Sequence, residues 1–246
     1  MEKYKPISEF FVDAMQANPV ATEDGLKLVL RAICSRFGLS HVTYFGRSIP
    51  TRSGFGTVLL TTYPDEWVSR YFEKKYQEID PVVACGIASL LPIQWSKLPR
   101  QDKSVRNLFG EASEFGVGRQ GITVSVRGLR SDYALMSFNR DCGDAEWLDF
   151  SINSMSDLNY LAYLFHSEVI NVHADDCSTL KPKLTGREAE TLLWAARGKT
   201  AWETAKILGL SEKTVNFHTS NACAKLGVAT KTQAVATVVA KRLILL

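Results

Sequence analysis

The residues best equipped for chemistry lie in the segment 63–83, YPDEWVSRYFEKKYQEIDPVV, and at Trp95. Trp67 and Tyr71 stand four apart and share one face of a helix. Asp80 directly precedes Pro81, where a carboxylate caps a helix that proline opens. Such a set works without covalent bonds: three aromatics and a carboxylate could surround a small apolar ligand that carries an amide. Pockets of that kind are mostly hydrophobic with a few placed polar groups, and each donor and acceptor of the guest needs a partner. The same residues also describe a core aromatic cluster in which Asp80 serves only as an N-cap. Hydrolysis would need an activated nucleophile or a metal-bound water, but His41, His166, His173 and His218 are scattered. The five cysteines are odd in number and never in C-x-x-C spacing, which argues against a disulfide framework or a zinc cluster. His173, Asp175, Asp176 and Cys177 cannot all converge on one ion from adjacent positions, so neither metal nor cofactor is expected.

Two glycine patterns resemble nucleotide loops and fail on context. Gly116, Gly118 and Gly121 match G-x-G-x-x-G, and Asp141 lies twenty residues beyond, but the motif follows a helical run and enters a strand, the reverse of a dinucleotide fold. These glycines read as turn and close-packing positions. Gly198-Lys199-Thr200 lacks the required glycine five residues earlier, where Leu193 stands.

The elements that must position these residues follow from periodicity. Helical patterns occur near 7–17, 23–37, 65–76, 80–89, 103–115 and 144–172, and strand-like runs at 40–46, 57–62, 121–127 and 132–138. This predicts an α+β fold whose N-terminal domain, residues 1–173, is an α-β-α sandwich, with Pro64 in the first turn of its third helix. The last helix repeats Leu148, Ile152, Met155, Leu158, Leu161, Phe165 and Val169 at steps of three and four, which reads mainly as core packing. Residues 174–183 are polar, contain Pro182 and read as a linker.

Composition divides at the same place. The chain has 246 residues, 46% hydrophobic and 22% charged, which excludes a disordered chain. Its net +3 conceals a basic C-terminal unit: from 181 onward 11 Lys+Arg face 4 Asp+Glu, and the remainder is net −4. A basic unit of this kind suits a polyanion, although a solvated basic face would look the same by charge alone. No run approaches the roughly 18 apolar residues of a membrane span, and the start lacks the apolar core of a signal peptide, so a cytoplasmic protein without membrane contact is expected.

In residues 184–246 punctuation marks four helices. Thr185 with Glu188 and Thr200 with Glu203 are capping boxes, Ser211 caps a third helix to about Leu226, Gly227 stops it, and Ala234, Val238 and Leu243 mark a fourth. The second and third helices, joined by a short turn containing Gly209, form a helix-turn-helix. Val215, Ala222 and Leu226 would face the core, leaving Lys213, Asn216, Phe217 and Ser220 near the major groove. Asn can pair with adenine, while Lys199, Thr200, Lys213, Thr214 and Lys225 suit phosphate.

The run 184–234, LTGREAETLLWAARGKTAWETAKILGLSEKTVNFHTSNACAKLGVATKTQA, resembles the DNA-binding domain of the LuxR family. The 63–83 segment, Trp95, Gly121-Ile122-Thr123 and Ser137 are similar to the autoinducer-binding domain of LuxR-type quorum-sensing receptors. The resemblance implies a regulator that is not an enzyme and that binds an N-acyl-homoserine lactone. It acts as a homodimer on double-stranded DNA of dyad symmetry, with RNA polymerase as a promoter partner. Carried over, Trp67 donates to the lactone carbonyl and Asp80 accepts from the amide N–H. Tyr63 and Ser137 serve the acyl carbonyl, Tyr71 packs along the acyl chain, and Trp95 closes on the ring. Part of the last N-terminal helix would be shared between subunits. Two departures are Ser125, where the family often has proline, and Val82, which removes a hydroxyl near the amide. A phosphorylation-controlled response regulator would need an acidic cluster after the first strand, which His41-Val42-Thr43-Tyr44 does not supply. A member of the family answering another small molecule, or none, stays open.

Overall fold

The computed structural model describes residues 6–18, 22–51, 54–128, 132–173, 184–241 and 243–244. The expected linker, with Asp175, Asp176 and Cys177, lies outside them. The chain divides into two compact units near residue 175.

The N-terminal unit alternates helices and strands in the order α1 (Ile7–Gln16), α2 (Glu23–Phe37), β1 (His41–Thr51), β2 (Gly54–Thr61), α3 (Asp65–Glu73), α4 (Pro81–Ala88), β3 (Ile93–Gln94), α5 (Lys103–Glu114), β4 (Gln120–Arg127), β5 (Tyr133–Arg140) and α6 (Asp144–His173). Short 3-10 turns stand at Tyr76–Glu78 and Trp95–Lys97. The strands form one antiparallel sheet in the order β2-β1-β5-β4-β3.

Because successive strand residues point to opposite faces, the sheet serves two cores. Val42, Tyr44, Leu60, Ile122, Val124, Met136 and Phe138 pack on one side with Leu26, Leu30 and Ile33 of α2 and Leu158, Leu161 and Phe165 of α6. The polar groups in this core are chained: His166 Nε2 donates to Asp132 across 2.9 Å, and its Nδ1 lies 2.7 Å from the Tyr44 hydroxyl. The second core lies among α3, α4 and α5 and contains Trp67, Tyr76, Val82, Trp95, Leu108 and Ala112.

Several sequence expectations need adjustment. Strand β3 carries no signal in the sequence, because two residues show no alternation. Strand β1 runs on to Thr51 through a register shift between Gly46 and Ile49, and beyond Arg47 it pairs only with β2. Pro50 therefore lies where a missing N–H is tolerated. Pro64 occupies the N-cap of α3 and not its first turn. Along α6, Leu158, Leu161, Phe165 and Val169 are buried, whereas Leu148 and Ile152 are 58% and 70% exposed.

The C-terminal unit comprises α7 (Gly186–Ala196), α8 (Ala201–Leu208), α9 (Glu212–Leu226) and α10 (Lys231–Ala240). Capping boxes at Thr185/Glu188, Thr200/Glu203 and Thr230/Gln233 start three of them. Ser211 caps α9, and Gly209 and Gly227 close α8 and α9 in the left-handed conformation that glycine adopts without strain. Leu192, Ala222, Cys223, Ala234 and Val238 form the core; Leu243 packs against it from beyond the end of α10.

Glu188 ties this unit together. Its buried carboxylate accepts from the Thr185 N–H and from Lys225 Nζ, both at 2.8 Å. Burial pushes its carboxyl up, but the Lys225 ammonium and the cap outweigh this and hold it below the usual range. Glu188→Ala should cost about 2 kcal/mol in denaturant unfolding of this unit. The contribution is complete above the unfolded glutamate pKa of about 4.3 and is lost as pH falls through the lower folded value. The deficit of the variant should therefore shrink in acid.

Candidate functional site

Between the sheet and helices α3, α4 and α5 lies a cavity of about 230 Å³. Tyr63, Trp67, Tyr71, Asp80, Trp95 and Ser137 all line it, together with Thr43, Phe45, Leu59, Thr61, Val68, Leu108 and Leu135 among others. Helix α3 presents Trp67 and Tyr71 one turn apart, and the N-terminus of α4 presents Asp80 opposite the sheet.

Asp80 accepts from the Tyr71 hydroxyl through Oδ2 and from the Val82 N–H through Oδ1, both at 2.8 Å. Burial pushes its carboxyl up, and these two donors, with the Val83 N–H, pull it partly back. Each carboxylate oxygen keeps a lone pair for a further donor. Tyr71 thus braces the carboxylate, a role its expected packing along a chain did not include. The phenol of Tyr71 is itself pushed up by burial and by the Asp80 charge, so it stays a donor at neutral pH.

The aromatic walls are interlocked. Trp67 meets Tyr71, Tyr76 and Phe115 at centroid distances of 5.9, 6.2 and 5.6 Å. Its indole N–H has no hydrogen-bond partner among the described residues. Trp95, by contrast, has its N–H occupied: Nε1 donates to Thr123 Oγ1 at 2.9 Å. Thr123 is fully buried and lies 2.8 Å from Ser137 Oγ. A buried hydroxyl needs an acceptor for its proton, and Ser137 is the one within reach, so Thr123 donates to Ser137. The Ser137 proton is then free to point into the cavity. Tyr63 accepts from Asn139 Nδ2 at 2.8 Å, and burial raises its phenol, which keeps that proton in place.

Two glycines make the wall possible. A Cβ on Gly121 would come within 2.3 Å of the Trp95 ring, and one on Gly118 within 2.5 Å of the Arg140 backbone. Ser125 does not line the cavity; its hydroxyl donates to the Gly86 carbonyl and ties β4 to α4. Val82 does line it, through an apolar side chain. The site therefore offers donors on Trp67, Tyr63 and Ser137 and an acceptor on Asp80, in a mostly apolar lining to which Thr43, Thr61, Arg47 and Gln77 add further polar groups. It holds no activated nucleophile, and no metal-ligand cluster occurs among the described residues.

In the C-terminal unit, Gly209-Leu210-Ser211 turns the chain from α8 into α9. On α9, Lys213, Asn216, Phe217 and Ser220 are exposed and Val215 and Ala222 are buried, so one face is free along its first half. The residues expected to reach phosphate differ in how far they are already engaged. Lys213 has no ion pair among the described residues, whereas Lys199 pairs with Glu203 at 3.2 Å and Lys225 with the buried Glu188. The hydroxyl of Thr200 closes its capping box, and that of Thr214 lies 2.7 Å from Ser211. Lys225 is thus a structural cation of this unit.

Residues 22–169 match the autoinducer binding domain, and residues 182–238 match the luxR family of bacterial regulatory proteins. The chain belongs to the LuxR family. It is a quorum-sensing transcription regulator with an autoinducer-binding domain and a helix-turn-helix DNA-binding domain, and it is not an enzyme. It is similar to the transcriptional activator protein VanR of Vibrio anguillarum, 34% identical over 222 residues that cover 88% of this chain and 89% of that one. It is likewise similar to the transcriptional activator protein RaiR of Rhizobium etli, 35% identical over 72% of this chain and 73% of that protein. Among solved structures, Escherichia coli SdiA superposes with a TM-score of 0.64 at 26% identity, covering 92% of this chain and 93% of SdiA.

For a LuxR-family domain the cavity holds more than its sequence motif displays. Thr43, Phe45, Leu59 and Thr61 come from the β1–β2 hairpin, and Asn139 acts from behind Tyr63. The alternation in 41–47 and 57–62 marks one face of each strand as polar or mixed, and that is the signal that could have found them. Helix α5 adds Leu108, Phe109 and Ala112, which read in sequence as ordinary amphipathic spacing.

Two outcomes follow for the protein by itself. Because the folded Asp80 carboxyl lies above its unfolded value, its ionisation detracts from stability at neutral pH, and this cost disappears as pH falls through the folded pKa. Relative to Asp80→Asn, the parent should therefore gain stability on mild acidification, read as the difference between paired thermal melts. Gly121→Ala should displace the Trp95 ring, cost about 1–3 kcal/mol, and shift tryptophan fluorescence.

Proposed function

We propose that this LuxR-family regulator binds an N-acyl-homoserine lactone in the α3–α5 cavity and, so loaded, binds dyad-symmetric DNA as a homodimer in the cytoplasm. The observation that carries the reading is the convergence of Trp67, Tyr63, Ser137 and the Asp80 carboxylate on one mostly apolar cavity. An acyl-homoserine lactone has the complementary set: a lactone carbonyl for Trp67, an amide N–H for Asp80, and an amide carbonyl for Tyr63 and Ser137. The acyl chain occupies the apolar remainder, and Trp95 covers the ring. A guest that fills the second core stabilises the fold by mass action and shifts the population toward the DNA-binding form. The exposed Leu148 and Ile152 supply an apolar stripe on α6 suited to a second subunit, as oligomer interfaces are more apolar than ordinary surface. On DNA, Asn216 reads a base edge, Phe217 contacts a methyl group, Ser220 lies beside them and Lys213 meets phosphate. RNA polymerase is the partner at the promoter.

Thermal unfolding across a panel of lactones tests the ligand. A lactone at a hundredfold over its Kd should add about 2.7 kcal/mol, and Asp80→Ala should abolish the shift. Unchanged melting across the panel would remove the proposal. For DNA, Asn216→Ala should relax preference at one base pair, at a cost of about 1–3 kcal/mol. Lys213→Ala should weaken all sequences alike and reduce the salt slope by about one. Binding measured over a salt series separates the two. Ile152→Glu should yield monomers by sedimentation and lose affinity for the full dyad site.

A further inference from the structure

One charged side chain beside the cavity serves neither in holding the proposed guest nor in an ion pair. Residues 98–102 connect the turn at Trp95–Lys97 to α5, and Arg100 stands in that connection, outside the cavity lining. Its Nη2 donates to the Trp95 carbonyl at 3.2 Å, and its guanidinium carbon lies over the Phe109 ring, 4.0 Å from the centroid. Trp95 and Phe109 both line the cavity, with ring centroids 6.4 Å apart. The backbone that carries Arg100 is fixed in turn, because Arg106 Nη1 in α5 donates to the Arg100 carbonyl at 3.3 Å and also to that of Gln101.

Arg100 has no ion pair among the described residues, and its Nε–H is buried without an acceptor. Burial draws its pKa down, and no carboxylate offsets the lost water. A guanidinium without an anion gains from the negative face of an aromatic ring, and the attraction strengthens as water is withdrawn. Trp95 is otherwise held from β4, through its indole N–H on Thr123 and its ring against Gly121. Phe109 belongs to α5. Arg100 therefore ties the ring seated on the sheet to the ring carried by the helix.

We infer that Arg100 is a positioning residue: from outside the cavity it holds Trp95 and Phe109 in one wall, and affinity for a guest lying on Trp95 depends on it. The dependence of affinity rests on the lactone reading above; the hold on the wall does not. The full chain labelled with 5-fluorotryptophan tests the hold, because its five indoles report separately and the Trp95 resonance is assigned by its absence in Trp95→Phe. In Arg100→Met the Trp95 line should shift or broaden, while those of Trp147, Trp194 and Trp202 stay in place. Titration with whichever lactone of the panel the parent binds best should show about tenfold weaker binding in Arg100→Met, as expected for a lost cation–π contact and a lost hydrogen bond. Arg100→Lys, which keeps the cation, should lie between, at about threefold. An unmoved Trp95 line, all five lines displaced together, unchanged lactone affinity, or Arg100→Lys as weak as Arg100→Met would each overturn the inference. A parent chain that binds no lactone would overturn the lactone reading and the affinity half of the inference, and the fluorine spectra would still decide the hold on the wall. If Arg100→Met does not melt cooperatively, Arg100→Lys decides: a Trp95 shift with about threefold weaker binding upholds the inference, and the absence of either overturns it.

Discussion

A carboxylate inside an apolar cavity is tolerable only where donors surround it, and Asp80 is the group on which the N-terminal unit is organised. One oxygen is held by a hydroxyl from α3 and the other by the first turn of α4, so the charge joins the two helices. The arrangement leaves the carboxyl raised above its ordinary range, which means that its donors are too few for full compensation. An N–H donor placed in the cavity would complete the set, and anything that bound there in the folded state alone would stabilise it by mass action.

The donors opposite Asp80 depend on the sheet. One face of β1, β4 and β5 is apolar and buried against α2 and α6; the other carries hydroxyls, buried at Thr123 and Ser137 and half-buried at Thr43. Hydroxyls so placed need partners within the protein, and here they pair across the strands. The Trp95 indole donates to Thr123, which lies 2.8 Å from Ser137, and the Tyr63 amide donates to Thr61, whose hydroxyl lies 2.7 Å from that of Thr43. An indole N–H and a backbone N–H can only donate, so the surrounding fold fixes the acceptor at the start of each pair.

The C-terminal unit solves a different problem: four short helices with a small core must hold one helix face free. Capping boxes satisfy the helix starts locally, and Glu188 combines a cap with an ion pair to α9. Polar groups not used in this way remain on the exposed side of α9. The local excess of positive charge is consequently shared between structure, at Lys225 and Lys199, and surface, at Lys213.

Much of this was legible in the chain itself, wherever the physics is local. Capping pairs three residues apart, glycines that end helices, the two-residue and three-to-four-residue periodicities, and the charge difference across residue 181 placed nearly all the elements. They also drew attention to Trp67, Tyr71 and Asp80. What tertiary structure alone decided concerns partners distant in sequence. Asn139 behind Tyr63, Thr43 against Thr61, Thr123 between Trp95 and Ser137, and Lys225 on Glu188 are all pairings that no spacing announces. The two-residue strand β3 exists because β4 is there to pair with it. The exposure of Leu148 and Ile152, on a helix whose later turns are buried, is not announced by their spacing either. Sequence determines what each residue can donate, accept or bury; which of those capacities meet is settled only when strand register and helix packing bring them within a few ångströms.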